Sequence, residues 1–311
     1  MYILLLTGGL LGLWLGTKFI ISGALGFAKR FNLSHSFVGL GILAIGTDLP
    51  EVFVTLEASY FQLKGIESAG IITGNAIGSS LGNTTIVLGI SALVVTFKMS
   101  PGEWLRNAVF SILSIAILIT VGLDGHINRV ESGCLLLSFG AYYYLLFRYQ
   151  KPRSADNAAT PDKSLTMLTL LLLSGVIILT FSSDLVVSNA ILLAKTWGLS
   201  QSFVGIAIVG LGTSLPELAV SVGAALRKEI GLSVGNIIGS NIFNNLVLIG
   251  LGGLIKPIHL ETNLVRFDLP FLLAVTILAL FYLHTKRGVS RLEGLSLILI
   301  YTGYLALKIS L

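Results

Sequence analysis

Two glutamates, Glu51 and Glu217, each lie within a long apolar stretch and each directly follow a proline, in Gly46-Thr47-Asp48-Leu49-Pro50-Glu51 and Gly212-Thr213-Ser214-Leu215-Pro216-Glu217. A carboxylate at the centre of a membrane helix costs about 2.5 to 3.5 kcal/mol on insertion scales, so an acid retained there points to function. Proline has no N–H, so the carbonyl four residues back, of Gly46 or Gly212, loses its helical donor. Each hexapeptide thus offers a carboxylate, a hydroxyl and a freed carbonyl oxygen together, which is a ligand set for a hard cation.

A second motif follows each of the first: Gly74-Asn75-Ala76-Ile77-Gly78-Ser79 with Asn83, and Gly235-Asn236-Ile237-Ile238-Gly239-Ser240 with Asn244. Its glycines suit close packing of membrane helices, while Asn75, Ser79, Asn83 and their counterparts could supply oxygen. Both readings of this motif stand.

The elements that carry these residues follow from composition. Of the 311 residues, 54% are hydrophobic and only 11% charged, far from the quarter or so of charged residues in soluble domains, and the mean hydropathy is +0.90. Apolar runs of spanning length, about 20 residues each, fall at 2–28, 36–62, 69–97, 104–123, 130–148, 165–194, 202–226, 231–255, 267–284 and 292–309. The fold class is therefore all-α, an integral membrane protein of ten transmembrane helices. A net charge of +5 does not mark a nucleic-acid binder, because the basic residues are dispersed over short loops. With the loops numbered alternately, 13 lie on one side (Lys29, Arg30, Lys98, Arg106, Arg148, Lys151, Arg153, Lys163, Arg227, Lys228, Lys286, Arg287, Arg291). Six lie on the other (Lys64, Arg129, Lys195, Lys256, Arg266, Lys308), and Lys18 falls inside the first span. The positive-inside rule makes the first side cytoplasmic. Both termini are then outside a cell membrane and the 149–164 linker inside. No cleavable signal pattern stands out.

Sliding the chain on itself by 166 residues aligns Ser34–Val54 with Ser200–Val220, 12 of 21 positions being identical. At an offset of 161, Gly74–Ile90 aligns with Gly235–Leu251 with seven of 17 identical. Five spans precede the linker and five follow. An odd number forces the second copy to enter the membrane from the opposite side, giving two inverted five-helix repeats, 1–148 and 165–311, whose shared site belongs at the midplane where they meet.

Other polar residues carry weaker signals. Glu57 reads as an entrance or interface charge. Lys18 and Asp184 are near-equivalent and could form an ion pair, unless the pseudo-twofold keeps them apart. Asp124, His126, Glu131, Asp268 and Glu293 read as solvated charges at span ends, and Tyr142-Tyr143-Tyr144 with Arg148 and Tyr149 as an interface belt. The single cysteine, Cys134, reads as packing.

Gly-Thr-x-Leu-Pro-Glu followed by Gly-Asn-x-x-Gly-Ser-x-x-x-Asn, occurring twice in ten spans, resembles the sodium/calcium exchanger family of the calcium:cation antiporters and its two α-repeats, here 44–90 and 210–251. The resemblance implies a transporter rather than an enzyme, a monomer exchanging Ca2+ for Na+ by alternating access, with the first and sixth helices as a sliding gate and no cofactor beyond the transported ions. Carried over, it implies ligands from Glu51, Ser79, Asn83, Glu217, Ser214, Ser240 and Asn244, with Thr47 and Thr213, and backbone carbonyls of Ala44 and Gly210.

The chain departs from the family pattern at Asp48, where that pattern has serine, and at Asn244, which is aspartate in some relatives. Three acids, Asp48, Glu51 and Glu217, would then share the site. Like charges so close oppose one another's ionisation, so a proton on Asp48 could stand in for one sodium ion. The counter-ion could accordingly be H+ or K+ in place of Na+. A cation channel would need a continuous pore and commonly a symmetric oligomer. An intramembrane enzyme has no motif here, neither a His-Glu-x-x-His zinc pattern nor a Ser/His pair in the spans.

Overall fold

A computed structural model describes residues 2–96, 99–149, 163–196, 212, 214–285 and 288–310. Its helices are α1 (Tyr2–Arg30), α2 (His35–Thr47), α3 (Leu49–Leu63), α4 (Ala69–Val94), α5 (Pro101–Val121) and α6 (Arg129–Arg148). After the linker come α7 (Leu165–Thr196), α8 (Leu215–Leu226), α9 (Ile230–Ile255), α10 (Leu264–Thr285) and α11 (Arg291–Ser310). By length and composition, seven of them can each cross a membrane among the described residues, and α2 with α3 makes an eighth, bent by 45°. Residues 202–211 and 213 of the expected span 202–226 lie outside the described residues.

Local chemistry sets the ends. Ser34 caps α2 by accepting from the Phe37 N–H at 3.1 Å. Asn128 caps α6 by accepting from Val130 and Glu131, while Glu131 accepts in turn from the Asn128 N–H at 2.8 Å, a reciprocal box that satisfies otherwise orphaned donors.

α4 and α9 form the centre: 72% and 83% of their spanning stretches are buried, against 22% for α6 and for α7. They cross antiparallel. The Ser80 hydroxyl donates to Asn245 Oδ1 at 3.1 Å, and Asn241 Nδ2 donates to Thr84 Oγ1 at 2.8 Å. With the offset of 161, Ser80 corresponds to Asn241 and Thr84 to Asn245, so each bond is the counterpart of the other. α1 and α7 also pack antiparallel. Gly9 meets Val186, Gly12 meets Ser182, Gly16 meets Leu179, Gly23 meets Leu172 and Gly26 meets Leu168. Small residues let the two backbones approach. α9 lies equally close to α2, where a Cβ on Gly39 would sit 2.7 Å from the Leu232 carbonyl oxygen.

Among the described residues the fold is helical, as expected, with one two-residue antiparallel pair, β1 (His126–Ile127) with β2 (Ile258–His259), in which His126 faces His259 and Ile127 faces Ile258. Several other expectations are corrected. Asp268 is not a solvated end charge: it is buried, and its carboxylate accepts from Tyr304 at 2.9 Å and Lys308 at 2.7 Å, tying α11 to α10. Cys134 is exposed on α6 rather than packed. Tyr142 belongs to the core, edge-on to Phe110, whereas Tyr144 and Tyr149 are exposed as a belt requires. Lys18 and Asp184 do not pair. The antiparallel register of α1 and α7 places Ile177 opposite Lys18, and the Lys18 ammonium lies 3.6 Å from the Trp14 ring centroid.

Candidate cation site

Pro50 and Pro216 each occupy the second position of a helix that starts just after a break. At the breaks the backbone leaves the helical region in the same way twice, with φ −80° and ψ 1° at Asp48 and φ −85° and ψ 8° at Ser214. Glu51 and Glu217 therefore both fall in the first turn of a new helix, α3 and α8. The positive end of the helix dipole favours a carboxylate there. Across from them, α4 and α9 each widen into a π-helical turn beginning at an asparagine, Asn83–Val87 and Asn244–Leu248, a local distortion common at functional sites.

The two breaks and the two widened helices converge. Asp48, Glu51 and Glu217 are buried, and one oxygen of each lies within 4.8 Å of the others. Ala44, Thr47, Ser79, Asn83, Ser214, Ser240 and Asn244 are buried as well, none more than 3% exposed. Gly210 and Thr213 lie outside the described residues. A Cβ on Gly82 would touch Ser214 Oγ at 3.2 Å, so α4 and the second break are in contact beside Ser79 and Asn83.

Hydrogen-bond accounting divides the polar residues here into two sets. Asn75 Nδ2 donates to the Glu51 carbonyl at 3.0 Å and to Thr55 Oγ1 at 3.3 Å. Asn236 Nδ2 donates to Ser221 Oγ at 3.1 Å, the matching bond in the second half. These asparagines tie helices together through their amide nitrogens, while Asn75 Oδ1 is itself buried without a partner. Thr47 also has partners, donating toward the Ala44 carbonyl at 3.3 Å and Asn236 Oδ1 at 3.4 Å. By contrast, all six carboxylate oxygens of Asp48, Glu51 and Glu217, the hydroxyls of Ser79, Ser214 and Ser240, and both amide atoms of Asn83 and Asn244 are buried without a hydrogen-bond partner. More than nine in ten buried polar groups are normally partnered. So many open oxygens around three acids is a donor set that fits a hard cation, which takes six to eight oxygens at about 2.3 to 2.6 Å when it is Ca2+.

Two carbonyls near the breaks have donors of their own. Ala44 O already accepts from the Asp48 N–H at 3.0 Å as well as from Thr47. The carbonyl freed by Pro216, that of Gly212, accepts from Ser183 Oγ of α7 at 3.1 Å. The equivalent residue in α1, Thr17, instead donates to Leu13 of its own helix at 2.7 Å. A cleft of about 370 Å³ runs beside both breaks, bordered by Pro50, Phe53, Ser183, Asp184 and Gly212. Glu57 is exposed, unlike the three buried acids.

Fold and cluster together define a polytopic membrane protein with an acidic, oxygen-rich centre assembled from both halves of the chain. The chain belongs to the sodium/calcium exchanger protein family, whose profile matches residues 1–148 and 167–310. It is 32% identical over 314 residues to CaxA of Alkalimonas amylolytica, covering 97% of this chain and 96% of that one. It is 26% identical to the sodium/calcium exchanger MaX1 of Methanosarcina acetivorans, covering 97% of each. A solved structure of the sodium-calcium exchanger NCX_Mj superposes with a TM-score of 0.83 at 29% identity, over 98% of this chain and 97% of that one.

Proposed function

We propose that this chain is a secondary antiporter that moves Ca2+ against Na+ by alternating access. The observation that carries this reading is the group of three buried acids surrounded by unpartnered oxygens contributed by both halves. Glu51, Glu217, Asp48, Ser79, Asn83, Ser214, Ser240 and Asn244 are the side-chain ligands, Thr47 and Thr213 line the site, and the carbonyls of Ala44 and Gly210 complete it. Ten spans in two inverted repeats, 1–148 and 165–311, carry the site. The antiparallel crossing of α4 and α9 through matched residues supports that inversion, and so does the antiparallel pair α1 and α7. The monomer suffices, because both acid-bearing breaks are in one chain. Both termini face outside and the 149–164 linker is cytoplasmic.

Mechanism follows from charge. Two like charges about 5 Å apart repel by roughly 3 kcal/mol at an effective dielectric of about 20, and an empty triad would be costly in hydrocarbon. Cations therefore load before the site changes sides, and Ca2+ and Na+ compete for shared oxygens, so one gradient drives the other. Ca2+ uptake into proteoliposomes under imposed Na+, K+ or H+ gradients tests this: a Na+ gradient directed out of the vesicles drives uptake, and uptake indifferent to every counter-gradient rules out antiport. A second reading, H+ as the coupled ion, is favoured by the third acid, Asp48, and predicts that the H+ gradient alone suffices.

A further inference from the structure

His126 and His259 face each other where β1 and β2 join the α5–α6 connection to the α9–α10 connection. The backbone fixes this pairing: the Leu260 N–H donates to the Gly125 carbonyl at 2.8 Å, and Gly125 makes the turn at φ +81°. Both rings are exposed. Their Nδ1 atoms are 3.3 Å apart, within reach of a hydrogen bond between one imidazole and the other. Two imidazole nitrogens bound tetrahedrally to zinc at about 2.0 to 2.1 Å are themselves about 3.3 to 3.4 Å apart. The ring centroids lie 4.6 Å apart with planes at 51°, and the broad outer torsion of histidine lets both lone pairs turn toward a common point. Asp124, whose carboxylate accepts from the His126 N–H at 3.0 Å, places negative charge alongside.

We propose that His126 and His259 form a binding site for a late first-row divalent metal ion, Zn2+ foremost, with water completing its shell. Imidazole favours Zn2+, Cu2+ and Ni2+, while Ca2+ and Mg2+ prefer oxygen. The site therefore takes a different class of ion from the acidic centre, and the bound metal clamps a connection of the first half to one of the second.

Calorimetric titration of the purified full chain with Zn2+ at neutral pH, in excess Ca2+ to hold the acidic centre, tests it. One Zn2+ binds per chain. His126→Ala and His259→Ala each weaken it by at least about tenfold, equivalent to about 1.4 kcal/mol, and Glu217→Gln leaves it unchanged. Binding that survives both histidine variants, or that is lost in Glu217→Gln, overturns the proposal. Should an alanine variant fail to fold, His126→Gln and His259→Gln are read the same way, and absorption of Co2+ added to the unaltered protein supplies a second reading: failure to develop tetrahedral bands counts against the site.

Discussion

At Glu217 and Glu51 a single atom separates function from silence. Glutamine keeps the size and polarity of either side chain but removes its charge, and the surrounding oxygens no longer outweigh the desolvation of Ca2+. Glu51→Gln and Glu217→Gln are expected to reduce Ca2+ exchange in proteoliposomes to background while size-exclusion profile and helicity stay unchanged. Asp48→Ser is expected to differ in kind. It gives both breaks the same residue, so exchange persists at a lower rate and loses much of its slowing on acidification. The two glutamates were legible because a mid-span acid after proline has few structural uses, and Asp48 because it broke the match between copies. The occupied carbonyl of Gly212 was not legible, since its donor, Ser183, is 29 residues away in sequence. Nor was the fate of Asn75 and Asn236. Their type suggested ligands, and only the structure shows their amide nitrogens bound to Thr55 and Ser221.

At the scale of elements, proline announced the breaks at Asp48 and Ser214, because a missing N–H acts locally. The π-helical turns at Asn83 and Asn244 had no such signal, the sequence displaying there only a short run of polar residues. Glycine was ambiguous by itself, and the structure separates its uses. A Cβ on Gly39 would meet the Leu232 carbonyl at 2.7 Å and that of Gly231 at 2.9 Å, both backbone atoms that cannot rotate away, whereas one on Gly8 would meet nothing within 4 Å. Gly39→Ala should therefore destabilise by about 1 to 3 kcal/mol, as overpacking does, with Gly8→Ala near neutral. Thermal unfolding in detergent resolves the two, and equal melting temperatures would show that α2 and α9 are less tightly joined than described.

For the whole molecule, the internal repeat is plain in the sequence, with 12 of 21 positions identical between Ser34–Val54 and Ser200–Val220, and the proposed five spans per copy lead from it to inversion. The two-residue ladder between β1 and β2 escaped notice because two residues carry no periodicity. Orientation rests on the 13 to 6 distribution of basic residues and can be read directly. In a Cys134→Ser background, Leu123→Cys should react with a membrane-impermeant maleimide added to intact cells, and Ser154→Cys in the linker should react only after permeabilisation. The opposite pattern would reverse the orientation while leaving the inversion untouched.

The unequal behaviour of Thr17 and Ser183 has a bearing on how such a molecule idles. One helix of the antiparallel pair is latched to its half by a hydroxyl on Gly212, while its twin keeps its hydroxyl at home on Leu13. The Thr17 methyl lies against Gly223 of α8, whereas Gly46 lies beside Val176 of α7. The two halves therefore rest in different arrangements although their sequences repeat, one hydroxyl bound across helices and the other within its own.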